Sequence, residues 1–98
     1  MYYMILGHDA PDSLAARRAL RPDHLQRLHV LREAGRLLIA GPLPAIDSPD
    51  PGPAGFVGSL LVAEFESLDL ARAWALDDPY LAGGAWRDVV VQPFLRVL

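Results

Sequence analysis

Apolar residues fall along this chain in six blocks, and the order of their periods predicts a fold. Tyr2 to Gly7 is nearly continuous in apolar side chains, as in a strand covered on both faces. His8 to Leu20 reads as a polar connection. Leu25, Leu28 and Leu31 then recur at helical spacing behind Arg21-Pro22-Asp23. Pro22 suits the first helical position, Asp23 the positive helix end and Gly35 the stop. Arg36 to Leu43 reads as a second strand closed by proline. Pro44 to Gly55 holds four prolines and two glycines, a composition that excludes regular structure and predicts a stiff loop. Gly58 to Phe65 is a third strand. Ser67 caps a second helix with Asp69 in its first turn and Leu70, Ala71 and Trp74 on its buried side. That helix stops near Asp77, because Pro79 disfavours helical geometry at Asp78. Pro79 to Gly83 forms one short turn, and Trp86 to Leu98 supplies the last strand, with Pro93 marking an edge or a bulge.

The predicted order is β-α-β-β-α-β over a single domain, residues 1–98. It is the signature of an α+β, ferredoxin-like fold in which two helices cover one face of a four-stranded antiparallel sheet. If the first strand runs up, strand two also runs up and strands three and four run down. The start of helix one, the end of helix two and the loop between strands two and three then meet at the top. Three long connections, near residues 9–21, 44–57 and 77–85, gather there, and long loops on a rigid scaffold are where sites are usually built.

On a helical wheel His24 shares a side with Leu28 and Leu31, and Asp78 falls one turn beyond Trp74, so both aim inward from neighbouring helix ends. A carboxylate bonded to an imidazole fixes its tautomer and raises its basicity, as general acid/base chemistry requires. The separate structural roles are an Asp78 that only caps the turn at Pro79 and a His24 satisfied in the interior. A helix N-terminus near His24 would disfavour the imidazolium, by less than a direct bond to Asp78 favours it. Around the pair, Arg21 is a candidate clamp for an anionic group, or a solvated partner of Asp23 or Asp12. Gly41 and Pro42 flank the stiff loop with Ser59, a candidate hydrogen-bond donor. Tyr80 and Trp86 are candidate pocket walls or core residues. His8, His24 and Asp78 have the donor types of a two-histidine, one-carboxylate metal set, but no close spacing supports one and no metal is assigned. His29 is read as a packing residue.

Composition narrows the setting. A hydrophobic share of 52% is more apolar surface than so small a monomer easily hides, so a second copy is expected to cover part of it. The absence of cysteine excludes disulfides and cysteine-held metal centres and points to the cytoplasm. No apolar run approaches the roughly 18 residues of a membrane span, and Met1 leads into Tyr-Tyr-Met-Ile-Leu without the pattern of a secretion signal. A net charge of −3, with scattered arginines and no lysine, argues against nucleic acid and removes Schiff-base chemistry. Walker, dinucleotide-binding, nucleophile-elbow and His-Glu-x-x-His motifs are absent.

Taken together, Arg-Pro-Asp-His at 21–24, Gly-Arg-Leu-Leu-Ile-Ala-Gly-Pro-Leu-Pro at 35–44, Ala-Glu-Phe-Glu-Ser-Leu at 63–68 and Ala-Trp-Ala-Leu-Asp-Asp-Pro-Tyr at 73–80 resemble the YciI-like (YCII-related) family from about Tyr2 to Phe94. The resemblance implies a dimeric α+β barrel in which two sheets pack face to face. It also implies a His and Asp pair in a cleft, which by motif match is His24 with Asp78, the aspartate before Pro-Tyr. Most members of that family have no assigned substrate, and one relative eliminates chloride from chlorinated hydroxyquinols. The resulting expectation is a homodimeric enzyme of a small aromatic or carbonyl-bearing substrate, using His24 and Asp78 for proton abstraction with elimination or isomerisation, without metal or organic cofactor. The alternatives are a metabolite-binding or sensing module and an accessory subunit of a larger enzyme.

Overall fold

The computed structural model describes all 98 residues. In chain order it contains β1 (Tyr2–Asp9), α1 (Leu14–Glu33), β2 (Leu37–Pro44), β3 (Phe56–Glu64), α2 (Leu68–Leu76), α3 (Pro79–Ala82) and β4 (Trp86–Phe94). The sheet order is β2-β3-β1-β4 with every pair antiparallel, so the expected α+β, ferredoxin-like architecture is present. Alternation along β1 sends Tyr3 and Ile5 under the helices, where Leu31 of α1, Leu61 and Ala63 of β3, and Ala71 and Ala75 of α2 complete the core. A smaller cluster of Tyr80, Ala85 and Trp86 closes the neighbouring corner.

The other sheet face has no helix. Met4 and Leu6 of β1, Ile39 of β2, Leu60 of β3 and Val90 of β4 share its side by register, and Ile39 is 53% exposed. No helix is long and apolar enough to cross a membrane.

Several expectations need correction. α1 begins at Leu14, two turns before Pro22, which sits inside the helix. A proline there removes one intrahelical hydrogen bond, and burial of the Arg17, His24 and Leu31 face holds the helix through it. The connection at 9–21 is therefore short, and His24 lies far from a helix N-terminus. In α2, Ala71 and Ala75 face the sheet, Trp74 is half-buried and Leu70 is 52% exposed, because the stripe runs 71, 75, 78. β4 ends at Phe94, and the proline loop contains one turn of 3-10 helix at Gly52–Ala54. Finally, His29 is exposed on the outer side of α1. Pro93 does lie in an edge strand, as β4 pairs only with β1.

Candidate active site

The stripe of α1 that faces the sheet contains Arg17, Arg21, His24, Leu28 and Leu31, at the i, i+4, i+7, i+11, i+14 spacing of one helix face. Opposite it, β2 carries Ala40, Gly41 and Pro42, whose small or compact side chains leave a gap beside the helix. The result is a cleft of about 210 Å³ between the middle of α1 and the β2–β3 half of the sheet, with Ser59 and Tyr80 on its border. It lies along the helix flank, below the loops at the upper end of the sheet.

His24 is the chemical centre of this cleft. Its Nδ1 sits 2.9 Å from both Oδ1 and Oδ2 of Asp78. Since a carboxylate only accepts, Nδ1–H donates in this contact and Nε2 is the nitrogen with a free lone pair. Nε2 has no partner in the chain and is not sealed from the cleft, although His24 is only 7% exposed overall. The ring is fixed on two further sides. It stacks on Tyr80 at 4.0 Å and 9°, and meets Trp86 edge-on at 5.5 Å and 81°.

Asp78 is 0% exposed and is held from several directions. As the N-cap of α3 it accepts the Tyr80 backbone N–H at 2.9 Å, with Pro79 pre-setting the first helical residue. Arg27 approaches its Oδ2 at 3.4 Å while donating to the Trp74 carbonyl at 2.6 Å and lying over the Trp74 ring at 4.1 Å. Capping and imidazole orientation are thus both performed by Asp78, and the two roles do not compete.

A second polar cluster adjoins the first. Arg17, 6% exposed, donates from Nε to Asp9 Oδ2 at 2.6 Å and from Nη2 to Asp9 Oδ1 at 2.7 Å. Nη2 also reaches the Gly58 carbonyl and Ser59 Oγ, each at 2.8 Å, and Ser13 Oγ donates to Asp9. The guanidinium lies 5.2 Å from the Tyr80 ring centroid. Burial pushes the Tyr80 phenol pKa up, against smaller opposing pulls from Arg17 and Arg21.

A family model of the YCII-related domain matches residues 1–95. The chain belongs to the YCII-related domain family. Among its YCII relatives, Protein YciI of Escherichia coli O6:H1 is 56% identical over 97 residues, covering 99% of each chain. An uncharacterized protein of Haemophilus influenzae is 50% identical over the same span. In structure the YCII-related chain is similar to the 5-chloro-2-hydroxyhydroquinone dehydrochlorinase TftG of Burkholderia phenoliruptrix AC1100, solved in complex with 2,5-dihydroxybenzoquinone. The TM-score is 0.84 at 25% identity, over 97% of this chain and 94% of that one.

Of the residues singled out from sequence, His24, Arg21, Gly41, Pro42, Ser59 and Tyr80 border the YCII cleft, and Asp78 stands behind His24. Two do not. His8 has the parity of the open sheet face and pairs with Asp88 at 2.5 Å, on the far side from His24. Trp86 is core, packed behind His24 and Tyr80 without reaching the cleft. Arg21 makes no ion pair with Asp12 or Asp23. No group of three metal-ligating side chains is present. A helix start at Pro22 hides Arg17, whereas Arg27 lies inside the expected helix and no motif marks it. The 17-21-24-28-31 spacing is the signal that points to Arg17.

Proposed function

We propose that this YCII cleft is the active site of a small-molecule enzyme in which His24 Nε2 exchanges a proton with the substrate and Asp78 holds the ring in the required tautomer. The observation that carries the reading is the two-oxygen contact of buried Asp78 with Nδ1 while Nε2 stays open to the cleft. A base so placed takes a proton from a carbon or hydroxyl acidified by a neighbouring carbonyl. Charge is then relieved by loss of a group from the adjacent carbon, giving elimination, or by return of the proton elsewhere, giving isomerisation. The imidazolium formed is stabilised by Asp78.

The substrate class is a small ring or carbonyl compound. Support comes from the cleft volume, from the aromatic wall at Tyr80, and from the structural likeness to a dehydrochlorinase bound to a dihydroxybenzoquinone. Chloride release from 5-chloro-2-hydroxyhydroquinone, alongside a panel of quinones and keto acids, tests the reaction class. His24→Ala is expected to lower turnover by about 10² to 10⁴-fold with the fold intact. Equal turnover in that variant defeats the assignment.

We further propose a homodimer formed through the open sheet face. Met4, Leu6, Ile39, Leu60 and Val90 leave an apolar surface there that a second copy would remove from water.

A further inference from the structure

The lining of the cleft is one-sided in charge. Arg17 and Arg21 border it and no aspartate or glutamate does, in a chain whose 12 acids outnumber its 9 arginines. The two nearby carboxylates are turned inward and sealed, with side-chain exposures of 3% for Asp9 beneath Arg17 and 0% for Asp78 behind His24. Asp9 engages Nε and Nη2 of Arg17, so Nη1 has no partner in the chain, and it is not sealed from solvent. Arg21, one turn further along the same stripe, makes no ion pair at all. At the Tyr80 phenol, whose pKa burial raises, the pull of each arginine downward exceeds the push of either Asp78 or Asp9 upward, so the cationic field leads inside the cleft.

We infer that the cleft selects a small anion, a molecule about one ring in size bearing a carboxylate, phenolate or enolate oxygen, seated by the free Nη1 edge of Arg17 and by Arg21. The inference rests on the proposed assignment of this cleft as the ligand site, and not on proton transfer by His24. Its size class follows from the small volume of the cleft, about 210 Å³. Its charge preference follows from pre-organisation. A guanidinium already locked by Asp9 loses little freedom when it donates to a ligand oxygen, and the concave, partly dehydrated setting strengthens the attraction of both cations. If the Arg17–Asp9 pair only stabilised the fold, nothing would require the uncompensated Arg21 to share its cavity.

Calorimetric titration of the intact protein with benzoate and with benzamide, closely similar in shape and different in charge, tests this directly. Benzoate is expected to bind at least about tenfold more tightly. That advantage shrinks as ionic strength rises, whereas benzamide binding does not change. Arg21 is exposed, so Arg21→Met keeps the fold, which circular dichroism checks, and it removes most of the preference. Equal affinities for the two probes, no benzoate binding at millimolar concentration, or a preference that survives Arg21→Met each overturn the inference. Turnover in His24→Ala is read separately, so failure of the acid/base assignment leaves the benzoate comparison standing and the reverse also holds.

Discussion

His24 of α1 and Tyr80 of α3 lie ring on ring, with centroids 4.0 Å apart and planes within 9° of parallel. The stack buries the phenol and raises its pKa above the ordinary tyrosine value. Between about pH 10 and the higher folded value, the unfolded chain has released a proton that the folded chain keeps. Stability present below that window is therefore lost as pH rises through it. The chain has no lysine, so no side-chain ammonium group competes with the Tyr80 signal in that range. Thermal midpoints measured from pH 8 to 11 should fall less steeply in Tyr80→Phe than in the wild type, and parallel curves would contradict the assignment.

Asp78 has three partners, so its two substitutions should differ. Asp78→Ala strands Arg27, frees the imidazole and uncaps α3, a loss of about 3 to 5 kcal/mol in urea unfolding. Asp78→Asn retains an acceptor for the Tyr80 N–H and should cost less, while still lowering turnover because an amide no longer stabilises the imidazolium.

Arg17 and Asp9 form a buried pair whose members are costly to separate. Arg17→Met leaves the Asp9 carboxylate uncompensated and is expected to destabilise by about 3 to 5 kcal/mol. Replacing both by apolar residues should cost less than the two single losses added together, which a double-mutant cycle measures.

Gly7 is set by a close approach. A methyl group there would occupy the space of the Trp86 indole, the same ring that fixes His24 edge-on. Gly7→Ala should cost about 1 to 3 kcal/mol or more through overpacking and should shift tryptophan fluorescence. Turnover should fall with it, since His24 loses one of its rigid walls.

Sedimentation at micromolar concentration should give twice the 10.7 kDa chain mass. Leu6→Arg, in the middle of the open face, should return a monomer that keeps its secondary structure.

Strand and helix order was legible because each block keeps one period, and because β1 and β3 are apolar on both faces. The inward aim of His24 and Asp78 was also legible, being a matter of phase along a helix. What escaped depended on tertiary support. Pro22 reads locally as a start signal, yet α1 continues through it on the packing of its Arg17 to Leu31 face. His8 failed on parity: one residue from Asp9 and Gly7 in a strand means the opposite side of the sheet. Small residues hid the inner face of α2, where Ala71 and Ala75 lie against the sheet and the larger Leu70 does not.

Because one carboxylate both starts the turn that carries Tyr80 and grips the imidazole of His24, α3 and the His24 ring share a single fastening. If that corner frays, the Asp78 contact and the aromatic support of His24 should be lost in the same event. Hydrogen exchange at the Tyr80 amide would then keep time with the seating of the His24 ring.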